Sequence, residues 1–75
     1  MERYQNLSGD SGVTAYTIGQ DSITVRFRND SVYLYSYSRP GPRQVEHMKL
    51  LARKGRGLNT YISTLVKDRY ERKLK

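Results

Sequence analysis

Pro40-Gly41-Pro42 splits this chain into two halves of different periodicity, and no regular element can run through it. Proline fixes φ and lacks an amide donor, so two of them around a glycine end a strand. The second also suits the first turn of a helix, where its missing donor has no intrahelical partner anyway. Before the break, apolar and polar residues alternate. After it, apolar residues recur every three or four positions. The split predicts an α+β fold, sheet first and helices second.

Three strands are legible in the first half. Val13 to Gly19 is β-branched and aromatic, and Gln20-Asp21 makes a short turn. Ser22 to Arg28 alternates most clearly, with Ile23, Val25 and Phe27 on one side and Thr24, Arg26 and Arg28 on the other. Asn29-Asp30 reads as a two-residue hairpin turn, since both residues tolerate positive φ, and Ser31 to Tyr37 is the third strand. That turn pairs Phe27 with Val32, Arg26 with Tyr33 and Val25 with Leu34. The expected core face is Ile23, Val25, Phe27, Val32 and Leu34. The expected solvent face is Arg26, Arg28, Tyr33, Tyr35 and Tyr37, basic and aromatic. A slip of one residue would mix the two sets.

Two helices are legible in the second half. The first spans Pro42 to Lys54, with Val45, Met48, Leu51 and Ala52 on a stripe and Gly55 as its stop. Asn59 reads as the N-cap of the second, which carries Leu58, Tyr61, Ile62, Leu65 and Val66. Asp68/Arg72 and Glu71/Lys75 have the acid-first spacing that supports a helix end. The expectation is a three-stranded antiparallel β-meander followed by two helices packed on one face (β-β-β-α-α). Residues 1–11 lack periodicity and read as a flexible leader, 12–72 as a single domain, and 73–75 as a frayed basic tail.

A resemblance emerges from the order of these residues. Ile18-Gly19 ends a strand, and Ile23-x-Val25-x-Phe27 and Val32-Tyr33-x-Tyr35 come after it. Next are a proline, a helix, Ala52-x-x-Gly55, Leu58-Asn59-x-x-Ile62 and Tyr70. The series resembles the KTSC domain, a small module found at the C-terminus of some lysyl-tRNA synthetases and as free-standing proteins. It covers roughly residues 11–70. The resemblance implies a sheet followed by helices and an accessory role in binding RNA. Where that family often has a serine before the helix-ending glycine, this chain has Arg53-Lys54, which adds charge.

Charge narrows the function. The chain has 75 residues, no cysteine and a net charge of +7. Residues 1–38 carry a net −1 and residues 39–75 a net +8, so the whole excess sits in the helical half. The lack of cysteine removes disulfides and any cysteine-based site. No apolar run approaches the ~20 residues of a membrane span, and residues 1–11 lack the apolar core of a signal peptide, so a cytoplasmic protein with no membrane partner is expected.

Catalysis finds no constellation in the sequence. His47 is the only histidine, and no His/Asp/Glu cluster has the spacing of a metal site. No serine lies in a Gly-x-Ser-x-Gly setting, and no cofactor is implied. Binding is the better reading. Tyr33 and Tyr35 beside Arg26 and Arg28 would stack bases and take the backbone of single strands, or would pack against the leader, the helix end or a second subunit. Arg53, Lys54 and Arg56 flank Gly55 and Gly57, which suit a phosphate cradle or a C-cap and tight turn, and both can hold because the basic side chains would project beside the turn. Lys73 belongs to the basic tail. Together they point to a non-catalytic nucleic-acid-binding accessory module for RNA or single strands. The other reading is a small interaction module, an accessory subunit or phage-type inhibitor, docking on an acidic protein. A monomer is the expected state, with a homodimer through the tyrosine face as the third reading.

Overall fold

The computed structural model describes residues 1–7, 9 and 11–75, and it is α+β. Among these residues five strands form one antiparallel sheet in sequence order: β1 (Glu2–Arg3), β2 (Val13–Ile18), β3 (Ser22–Phe27), β4 (Val32–Ser36) and β5 (Arg72–Lys73). Helix α1 (Pro42–Lys54) packs on β3 and β4, and α2 (Leu58–Tyr61) continues into a π-helical turn at Ile62–Val66. The helices lie on one face, as the break at Pro40–Pro42 implied. The outer strands are where sequence and structure part.

β2, β3 and β4 match the expected meander to within a residue at each end. Pro42 opens α1, and Gly55 closes it at φ 76° in the left-handed region. Gly55 N–H donates to the carbonyls of Leu51 and Ala52. Only glycine suits this position, because a Cβ there would also stand 2.6 Å from the Cβ of Gln5. Val45, Met48 and Ala52 from α1 meet Val13, Ile23, Val25 and Tyr35 from the sheet, and Leu58, Ile62 and Val66 complete the core. Each fully buried aliphatic side chain among them stabilises the fold by roughly 1.5–3 kcal/mol.

The hairpin between β3 and β4 differs from the expected one by a single residue. Its loop is Arg28-Asn29-Asp30. Asp30 N–H donates to the Phe27 carbonyl (2.9 Å), and Phe27 N–H donates to the Ser31 carbonyl (2.8 Å). Asp30 takes φ 70°, and Asn29 Oδ1 accepts Ser31 N–H (3.1 Å). This is a three-residue hairpin, a turn followed by one left-handed residue, rather than a two-residue turn on Asn29-Asp30. Arg26 therefore pairs with Val32, Val25 with Tyr33, Thr24 with Leu34 and Ile23 with Tyr35. Tyr33 and Tyr35 share the helix-covered face with Ile23 and Val25. Val32 and Leu34 go to the uncovered face with Arg26, so the tyrosine–arginine sheet face does not form.

Both terminal segments, expected to lie outside the fold, join the sheet instead. Glu2 and Arg3 pair with Tyr16 and Ala15, and Tyr4 is 3% exposed, its hydroxyl accepting Leu58 N–H at 3.3 Å. Leu7 N–H donates to the Gly55 carbonyl (2.7 Å), and Asn6 Oδ1 accepts Ser11 N–H (3.0 Å). The expected leader thus supplies an edge strand and a core residue; Ser8 and Asp10, part of the same expectation, lie outside the described residues. At the other end, Arg72 and Lys73 pair with Leu34 and Tyr33. Helix two stops well before residue 72, because Lys67 turns to φ 55°, ψ −124° and sends the chain back along β4. The Asp68/Arg72 and Glu71/Lys75 pairs need a helix and are not made among the described residues. Gly57, and not Asn59, occupies the N-cap position of α2.

One lysine is built into this framework. Lys49 on α1 is 4% exposed, yet its Nζ donates to the Gln20 carbonyl (2.8 Å) and meets Glu46 Oε2 (2.8 Å). Glu46 also accepts the Tyr37 hydroxyl (2.7 Å). The buried ammonium is thereby satisfied and ties α1 to the β2–β3 turn and to the end of β4.

Candidate functional site

The register places aromatic rings where β3 and β4 meet the segment after the helices. Phe27 and Tyr33 both end on the helix side of the sheet, edge to face at 5.7 Å and 76°. The reversal at Lys67 brings Tyr70 onto them. Its ring lies 4.6 Å from Tyr33 and 6.5 Å, nearly perpendicular, from Tyr35. These rings bound an open cleft of about 560 Å³, with Tyr35 and Ile62 as its floor. Arg28, Lys67 and Asp68 stand at its rim, where Asn29 and Ser31 add polar groups.

The cleft is apolar within and mainly positive around it. Arg28 is held at the rim by a hydrogen bond from its guanidinium to the Ser11 carbonyl (3.0 Å), which leaves other donors of the fork free. Lys73, paired with Tyr33 across β4 and β5, places its ammonium 5.7 Å from the Tyr33 ring centroid. Such a cation–π contact contributes about 0.5–1 kcal/mol at an exposed site. Tyr35 is 1% exposed, and burial pushes its hydroxyl well above the ordinary tyrosine range, with Tyr33 and Tyr70 adding to the effect. It shapes the floor and offers no exposed stacking face.

The expected site residues therefore divide. Arg28, Tyr33 and Lys73 are brought together, and Tyr35 lies beneath them. Arg26 is on the opposite sheet face, its Nε 3.1 Å from Asp30 Oδ1. The Arg26 hydrogen bond and charge hold the Asp30 carboxyl below its usual range. Arg53, Lys54 and Arg56 do not line the cleft; they surround the junction of α1 and α2, where Gly55 is a C-cap packed against Gln5. Gly55 makes the expected C-cap, and Arg53, Lys54 and Arg56 are exposed beside the turn. Likewise, Tyr33 and Tyr35 pack against the chain's own later segment, one of the two roles their sequence allowed.

Sequence reasoning misses Phe27 as a cleft wall, along with Lys67, Asp68 and Tyr70. Tyr70 is hidden by its apparent place on a continuing helix. The only signal against that helix is an unfavourable torsion at a lysine, which no residue type announces. Elsewhere, His47 on α1 is exposed and rests 4.5 Å from the Tyr61 ring. Among the described residues no three His, Cys, Asp or Glu side chains gather as metal ligands, and no helix is long and apolar enough to cross a membrane.

Comparison with known proteins adds no relative: no protein-family model matches the chain, and neither a curated protein nor a solved structure matches it. The KTSC resemblance rests on residue order and spacing.

Proposed function

We propose that this chain is a non-catalytic nucleic-acid-binding accessory module that takes an unpaired base of RNA or another single strand into the Phe27–Tyr33–Tyr70 cleft. The observation that carries this reading is one open, aromatic-walled cleft edged by Arg28 and Lys67, with the Lys73 ammonium over the Tyr33 ring, on a chain of net charge +7. A base brings a flat apolar face for the rings, and its phosphates bring charge for the rim. Bases inside a duplex are stacked on their neighbours and offer no free face, which favours single strands. Base–aromatic stacking contributes about 1–3 kcal/mol per base, and each neutralised phosphate steepens the salt dependence. The basic residues around the α1–α2 junction, Arg53, Lys54 and Arg56, would draw the polyanion in at longer range.

The test is a titration of the protein with labelled single-stranded RNA, single-stranded DNA and duplex DNA at two salt concentrations. The reading requires single strands to bind more tightly than duplex, with affinity falling as salt rises. Arg28→Ala should weaken binding and flatten the salt slope by about one contact. Absence of binding to every strand at low salt would sink it.

A further inference from the structure

Resting on that reading of the cleft, we propose that it selects guanine among the bases, with the Asp68 carboxylate reading the guanine Watson–Crick edge. Among the described residues Asp68 is the one acidic side chain on the cleft, exposed at its rim beside Lys67. A carboxylate beside a phosphate-binding surface works against polyanion affinity unless it meets a donor on the ligand. Its neighbours do not neutralise it. The Arg69 guanidinium is folded back on the preceding helical turn, donating to the Leu65 carbonyl (2.5 Å) and reaching the Val66 carbonyl (3.5 Å). Among the described residues the ion pairs are Arg26–Asp30 and Glu46–Lys49, and neither involves Asp68.

The chemistry of the bases decides which ligand fits. A carboxylate accepts two parallel hydrogen bonds and donates none. Guanine alone presents two adjacent donors on one edge, the N1–H and the exocyclic N2 amine. Adenine and cytosine show one exocyclic amine next to an acceptor nitrogen, which a carboxylate repels. Uracil shows one imide N–H between two carbonyls. The side-chain amide of Asn29, on the same rim, has no partner for its N–H donors among the described residues while its oxygen holds Ser31, so it can meet a base carbonyl. A cationic side chain of a peptide could also be drawn to a carboxylate at the rim of an aromatic cleft. The surrounding Arg28, Lys67 and Lys73 oppose that, and they suit a ligand that carries phosphates.

The experiment compares labelled hexauridylate with hexamers carrying one central G, A, C or inosine, each titrated against the full chain. A single guanine avoids strand association. The G hexamer should bind roughly tenfold tighter than the others, the value of about one good bidentate base contact. Inosine lacks the N2 amine and should lose most of that advantage. Asp68→Asn should bring the ratio of G to U affinity close to one, and Asp68→Glu should restore part of it; circular dichroism of both variants checks the fold. Equal binding of all hexamers by the unaltered chain overturns guanine selection and leaves the nucleic-acid reading standing. A G preference that persists in Asp68→Asn overturns the assignment to Asp68. Failure of every hexamer to bind, or tighter binding of a lysine-rich peptide, overturns both readings together.

Discussion

The rings of Tyr33 and Tyr70 lie 4.6 Å apart, one on β4 and the other in the segment that leads from the helices into β5. This contact anchors the returning chain to the sheet and also forms the wall of the cleft. Stability and binding are thus coupled through one pair of side chains. Backbone bonds alone hold β5 weakly, since it is two residues long. Glu71 and Leu74 add one donor each, to the Leu34 and Val32 carbonyls (both 2.7 Å), and Lys75 and Val32 exchange two longer bonds at the open end of the chain (3.2 and 3.1 Å).

Removing the later ring should loosen the whole C-terminal segment beyond it. Tyr70→Ala exposes Tyr33 and part of Tyr35 and should cost about 2–3 kcal/mol, measured by urea denaturation. Amide exchange at Leu74 should rise more than exchange at Val25, because the loss is local first. Tyr70→Phe keeps the ring and should stay within about 0.5 kcal/mol. If Tyr70→Ala unfolds at the unaltered midpoint, Tyr70 does not anchor the returning chain.

The burial of Tyr35 should make the protein sensitive to alkali. Its folded-state pKa is raised, chiefly by burial, above the ordinary value of 10.0. Below pH 10 both states hold the proton and stability is unaffected. As pH rises past 10 the unfolded chain releases its proton first, so stability falls, by at most about 1.4 kcal/mol per pH unit from this one group. Unfolding free energy measured between pH 8 and 11.5 should decline more gently in Tyr35→Phe than in the unaltered chain. Parallel declines would show that the Tyr35 hydroxyl is solvated.

Asp30 should be replaceable by glycine but not by a β-branched residue. At φ 70°, Asp30→Val places a branched side chain in the left-handed region and should cost about 1–2 kcal/mol. Asp30→Gly relieves the backbone and loses only an exposed, solvent-screened ion pair with Arg26. Its denaturation midpoint should therefore stay close to that of the unaltered chain. Equal losses in both variants would mean that the side chain, and not the torsion, holds the turn.

The elements legible in the sequence are those with strong local signals. α1 has a proline at its start, an apolar stripe and a glycine stop, and its observed bounds are the expected ones. The alternation of Ile23, Val25 and Phe27 identifies β3 and its core face. The hairpin departs from expectation because Asn29-Asp30 suits a two-residue loop as well as the last two positions of a three-residue one, and the choice depends on packing further away. β1 and β5 are invisible, because two residues cannot display a period and Glu2-Arg3 and Arg72-Lys73 are charged. Their pairing is driven by the aromatic residues beside them, Tyr4 just after β1 and Tyr70 just before β5. Of the site, Arg28 and Tyr33 can be picked out as candidates from composition. Arg26 keeps the face its alternation assigns; it is the face of Tyr33 and Tyr35 that depends on the register, and the three-residue loop takes them away from Arg26. Lys67, Asp68 and Tyr70 depend on a chain reversal with no residue signature.

The loop Arg28-Asn29-Asp30 carries a consequence for how such chains diverge. Strand side chains alternate, so the number of residues in this loop is a parity setting for everything after it until the break at Pro40. With three, the tyrosines roof the core and Val32 and Leu34 meet solvent. With two or four taken from this same sequence, β4 would turn over and exchange them. An inserted residue that the loop takes up leaves the pairing of Val25 with Tyr33 intact, whereas one that the loop refuses slides the register and inverts the chemistry of a whole strand. The loop's own conformation, and above all the left-handed Asp30, therefore decides which face of β4 the tyrosines take.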